Sequence, residues 1–115
     1  NYVKYKDGIV EGFNYLKGTS NTKIEFPMNL NNNNWTIVYV TRFDPNGRDD
    51  NGRILQGKTN WLAGHHGNRS GISHQNGWIS NSAFSHNRSW VIGIEQPKKF
   101  IRRTGNQEWK IFYDL

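Results

Sequence analysis

Hydrophobic and polar positions along this chain alternate with a period of two much more often than they recur every three or four residues. In Thr22-Lys23-Ile24-Glu25-Phe26, the residues Thr22, Ile24 and Phe26 share one side while Lys23 and Glu25 share the other. Trp109, Ile111 and Tyr113 alternate with Lys110, Phe112 and Asp114 in the same way. Such a period sends successive side chains to opposite faces of a strand. The run Trp35-Thr36-Ile37-Val38-Tyr39-Val40-Thr41 is apolar on both sides and predicts a central strand of a packed sheet. Residues 89–95, with Trp90, Val91, Ile92 and Ile94, predict a second central strand. No stretch of ten residues keeps apolar positions at helical spacing without a Gly or Asn interrupting it, so no helix is predicted.

Shorter strands are predicted over 9–16, 53–56, 60–64, 71–74, 77–80 and 100–103. Turn chemistry separates them: the asparagine-rich 29–34, Asp44-Pro45-Asn46-Gly47, Asp50-Asn51-Gly52, Gly67-Asn68 and Asn76-Gly77. Strands recurring roughly every 8–12 residues without helices predict an all-β chain, an antiparallel β-sandwich or barrel. Neither an internal repeat nor a linker divides it, so residues 1–115 read as one sandwich domain.

Composition sharpens the core. Of 115 residues 34% are apolar and 14% aromatic, so rings must supply much of the buried area, the tryptophans Trp35, Trp61, Trp78, Trp90 and Trp109 most of all. No apolar run approaches the roughly 18 residues of a membrane-spanning helix. Asn1-Tyr2-Val3-Lys4 lacks the pattern of a secretory leader, which says nothing about secretion of a processed chain. With no cysteine, disulfides and thiolate metal sites are excluded. Fifteen Lys and Arg against nine Asp and Glu give a net charge of +6, compatible with nucleic acid, anionic glycans or a membrane surface. The basic residues are dispersed, however, and cluster only at Lys98-Lys99 and Arg102-Arg103. Three Asn-x-Ser/Thr acceptors, at Asn34, Asn68 and Asn87, point weakly to a secretory route.

The densest signal lies in Arg53-Ile54-Leu55-Gln56-Gly57, Asn60-Trp61-Leu62-Ala63-Gly64-His65-His66-Gly67, Gly71-Ile72-Ser73-His74 and Gly77-Trp78-Ile79. A strand ending in Thr41-Arg42 precedes it and Trp90-Val91-Ile92-Gly93 follows. Over roughly residues 15–95 this resembles concanavalin A-like, laminin-G-like jelly-roll domains, as in surface proteins of large algal viruses and extracellular proteins of aquatic protists. The resemblance implies a jelly-roll sandwich and a glycan-binding or adhesive role at an extracellular or virion surface. Such domains use a longer chain, so it also implies strands beyond Leu115 and an incomplete or trimmed sandwich here.

The residues offer their own chemistry. Sugar recognition needs a flat apolar surface for a pyranose face and polar side chains for its hydroxyls. Asn60, Trp61, His65, His66, Asn68, Arg69, His74, Asn76 and Trp78 are the candidate kit. The competing reading makes Trp61 and Trp78 core plugs. His65 and His66 are neighbours on a predicted strand and point to opposite faces, so only one of them can share a surface with His74. The same opposition counts against a zinc site built from His65, His66, His74 and His86. Calcium is the metal to consider, with Asp44, Asp49 and Asp50 in the acidic loop as ligands, against a plain solvated turn.

A retaining glycosidase needs two carboxyl groups about 5–5.5 Å apart. Glu11, Glu25, Glu95, Glu108 and Asp114 each lack a partner two or four residues away in their own strand, so an enzyme is not expected. Nucleic acid is not expected either: Phe100 and Arg102 fall on one face, Lys99, Ile101 and Arg103 on the other, and no clean basic aromatic surface results. The sequence therefore predicts a non-catalytic module that binds glycans or mediates adhesion, with partners that are glycans or neighbouring structural subunits. The alternative is a purely structural module of a capsid, cell wall or extracellular filament.

Overall fold

The computed structural model describes residues 3–4, 14–30, 32–47, 51–105 and 107–114. All regular structure among them is β; there is no helix. A short antiparallel pair joins β1 (Val3–Lys4) to β2 (Asn14–Tyr15). Of the strand predicted over 9–16, the part at 9–13 lies outside the described residues.

The remaining strands are β3 (Ile37–Thr41), β4 (Leu55–Gly57), β5 (Trp61–His66), β6 (Arg69–Gln75), β7 (Trp78–Ser80), β8 (Val91–Gln96), β9 (Lys99–Arg103) and β10 (Lys110–Tyr113). They form two four-stranded antiparallel sheets, in the orders β10-β9-β8-β3 and β4-β5-β6-β7. The second sheet is a meander whose turns are written in the sequence. Gly67 and Asn68, with φ of 58° and 64°, give the paired left-handed conformation of a two-residue hairpin. Asn76, at φ 54°, opens the turn between β6 and β7.

The sheets pack face to face through Trp61, Ala63 and Ile79 from one and Tyr39, Val91 and Phe100 from the other. Val91 and Phe100 are fully buried, each contributing about 1.5–3 kcal/mol. Tyr39 lies against bare backbone from both layers. A Cβ on Gly64 would sit 2.9 Å from Tyr39 Cε2, and one on Gly93 would sit within 2.5 Å of Cε2 and Oη. Glycine is needed there because a ring occupies the space a side chain would take.

Arg102 and Glu95 are among the polar side chains of the interior. The Arg102 guanidinium lies 4.4 Å from the Phe84 ring centroid and 4.9 Å from that of Phe112, and donates to the carbonyls of Gly71 and Ser82. Glu95 is fully buried and draws on β3 and β6. Its Oε2 accepts from Ser73 Oγ at 2.8 Å and Gln75 Nε2 at 3.0 Å, while Oε1 lies 3.2 Å from Tyr39 Oη. Burial is the largest influence and pushes this carboxyl up to about 8, against the pull of those three hydrogen bonds. At neutral pH Glu95 is therefore the protonated acid. Oε2 thus accepts twice, and Oε1 accepts from Tyr39 Oη.

Two sequence expectations change. Among the described residues β3 is an edge strand, paired only with β8, and Val38 and Val40 are 67% and 58% exposed. Its second apolar side therefore faces outward. The predicted strand at 22–26 is absent: the segment is exposed and unpaired with any sheet, although Lys23 and Glu25 do share a side and ion-pair at 2.7 Å. Alternation alone does not make a strand where no neighbouring backbone offers a ladder. The second central strand is as expected, with β8 between β3 and β9 and its burial alternating residue by residue.

Candidate functional site

Strand alternation sorts the candidate kit into two groups. Trp61 is 7% exposed, belongs to the core and meets Trp35 edge-on at 6.4 Å. His65 is fully buried. Its Nδ1 lies 3.1 Å from Ser70 Oγ, whose hydroxyl donates to the Asn87 carbonyl. Ser70 must then accept from Nδ1–H, leaving His65 Nε2 to accept from Thr41 Oγ1 at 2.9 Å. Burial lowers the His65 pKa to about 4 and holds it neutral. Neither Trp61 nor His65 is offered to a ligand.

Asn68 is partly buried at the hairpin tip, where its Oδ1 accepts from the Asn51 backbone N–H at 2.8 Å and its own N–H donates to the Asn51 carbonyl at 3.0 Å. It clasps the loop before β4. Of the other glycosylation candidates, Asn34 is exposed and Asn87 partly buried. Asp44 caps its own turn: Oδ1 accepts from the Asn46 N–H at 2.9 Å and Oδ2 pairs with Lys17 Nζ at 3.0 Å. Those contacts, the backbone one first, hold its carboxyl below the usual range. Asp49 and Asp50 lie outside the described residues. Among the described residues no group of three His, Asp or Glu side chains is placed to hold a metal ion.

The second group gathers around Trp78. This indole is 41% exposed, on β7 at the edge of its sheet. Opposite it in the ladder stands His74, whose ring meets the indole edge-on at 4.9 Å and 89°. His74 Nδ1 lies 2.6 Å from the Asn60 carbonyl, to which its N–H donates. Arg69 reaches over the Trp78 ring, its Cζ 5.3 Å from the centroid, and donates through Nη1 to Asn81 Oδ1. His66 pairs with Arg69 across the β5–β6 hairpin. Its Nδ1 is buried without a hydrogen-bond partner. Burial first, then the charges of Arg53 and Arg69 and the nearby His74, hold its pKa down. Arg53 in turn donates to Asn60 Oδ1 at 2.8 Å. Asn76 sits exposed in the turn that leads into Trp78.

Asn60, His66, Arg69, His74 and Trp78 are thus brought together, with Asn76 beside them. Arg53 and Asn81 complete the surface and were not in the sequence-derived kit. Nothing local marks either: the β4–β5 register continued backward from Gly57 sets Arg53 opposite the buried His65. An exposed indole among amides, guanidinium groups and imidazoles can stack on an apolar ring face and donate to oxygen acceptors around it. No protein-family model, curated protein or solved structure matches this chain.

Proposed function

We propose that this chain is a non-catalytic, concanavalin A-like module that binds glycans at an extracellular or virion surface. The observation that carries this reading is Trp78, held 41% exposed between His74 and Arg69. A pyranose face stacks on the indole, while Arg69, His74 and the amides of Asn60, Asn76 and Asn81 meet its oxygens. Two packed antiparallel sheets fit the jelly-roll resemblance. The fully buried Glu95 is turned toward Tyr39, Ser73 and Gln75 rather than toward a substrate, which favours binding over hydrolysis. A glycan array tests the reading. Wild-type protein gives hits that Trp78→Ala abolishes, while the urea midpoint moves by under about 1 kcal/mol equivalent, as for a half-exposed side chain. A blank array with folded protein refutes it.

A second reading, an assembly module of a capsid, wall or filament, is favoured by the outward side of the other sheet. There Val38, Ile94, Ile101 and Ile111 stand in register across all four strands. Sedimentation that shows self-association lost in Val38→Lys would support it; a monomer at every concentration would not.

A further inference from the structure

We propose that the ligand at the Trp78 surface is an anionic sugar, recognised through a carboxylate or sulfate oxyanion; the inference rests on the glycan-binding reading above. Two guanidinium groups, Arg53 and Arg69, and two imidazoles, His66 and His74, converge there. Beside burial, the charges of Arg53, Arg69 and His74 each lie close enough to His66 to hold its pKa down. Like charges gathered on a surface repel, and a protein ordinarily relieves this with carboxylates. Here the partners of Arg53 and Arg69 are neutral amides, Asn60 and Asn81. The ion pairs among the described residues lie elsewhere, at Lys17–Asp44 and Lys23–Glu25.

Among the described residues no carboxylate pairs with Arg53 or Arg69, and each guanidinium keeps donors beyond the one its amide takes. A planar fork of donors suits an oxyanion, which can be gripped by two parallel hydrogen bonds. A neutral sugar would answer the stacking but leave the charges unrelieved; an oxyanion carried on a ring that stacks on Trp78 answers both. Sulfate esters and uronic or sialic carboxylates share this chemistry.

The test is a glycan array carrying sulfated, carboxylated and neutral members, followed by titrations of dextran sulfate, polygalacturonate, unmodified dextran and a single-stranded oligothymidylate, read by tryptophan fluorescence. Two variants with equal loss of net charge are compared: Arg53→Gln/Arg69→Gln at the site and Lys98→Gln/Lys99→Gln away from it. Binding of the acidic members is expected, weakened about 10–100-fold by the arginine pair, as for lost hydrogen bonds to a charged group, and little by the lysine pair. The sulfate and carboxylate arms then show which oxyanion is preferred. Equal weakening by both variants reveals non-specific attraction to a basic protein and overturns the inference. Tighter binding of the oligothymidylate than of any glycan overturns it as well. Neutral members bound as tightly as acidic ones remove the oxyanion but leave glycan binding standing. A blank array removes both.

Discussion

Replacing Glu95 by Gln should abolish a specific pH dependence of stability. In the unfolded chain this carboxyl ionises near 4.5, while in the fold it does so near 8. Between those values the unfolded state gives up a proton that the native state keeps, so stability falls as pH rises. At roughly 1.4 kcal/mol per pKa unit, the whole interval is worth on the order of 5 kcal/mol. His65 acts with the opposite sign. Its pKa is lowered from 6.5 to about 4, so its contribution is present above 6.5 and is lost as pH falls toward 4. The two slopes largely cancel between 4.5 and 6.5. From 6.5 to 8 Glu95 acts alone, and stability should drop by about 2 kcal/mol, or ~8 °C in Tm for a chain of this size. The groups facing Glu95 are Tyr39, Ser73 and Gln75, and the only titratable one, Tyr39, is itself pushed well above 10. Glutamine matches the protonated acid in shape and neutrality: its carbonyl accepts from Ser73 and Gln75, and its amide takes the place of Oε1 beside Tyr39. Urea unfolding followed by tryptophan fluorescence across pH 6.5–8 should give a falling midpoint for wild type and a flat one for Glu95→Gln, with m unchanged. A flat wild-type profile, or the same slope in both proteins, would refute the reasoning.

Two further outcomes are expected. Gly93→Ala puts a methyl within 2.5 Å of the Tyr39 ring and hydroxyl, forcing that ring out from between the sheets; a loss of about 3 kcal/mol or more is expected, visible as a lowered urea midpoint or as insoluble expression. Lys98→Gly should stabilise by about 1 kcal/mol, because Lys98 holds φ at 57° in the Pro97-Lys98 turn between β8 and β9, a conformation that costs a side-chain-bearing residue about that much; thermal unfolding checks it.

What the sequence revealed and what it hid have physical causes. The hairpin tips were legible because Gly67-Asn68 and Asn76-Gly77 carry the residue types that tolerate positive φ. The strands of both sheets were legible because each alternates or is bounded by such turns. The edge position of β3 was not, since Val38 and Val40 read the same whether a neighbouring layer or open surface lies over them. Parity showed that His65 and His66 must diverge, but not which goes inside. That is set by a register irregularity between Gly64 and His65, and by Thr41 and Ser70 waiting on either side of the ring. The Glu95 network was invisible because its partners stand 20 to 56 positions away in the chain. Gly93 looks like any strand glycine until Tyr39 is seen beside it.

Strand β6 ties the interior acid to the exposed indole. Ser73 and Gln75 reach inward to Glu95, while His74, between them, stands outward against Trp78. A slip of one residue would carry an imidazole toward the carboxyl and turn its two donors out into water. The buried carboxyl thus acts as a locating pin for the face that meets the outside world, and refinement of that face by mutation is confined to every other position of the strand.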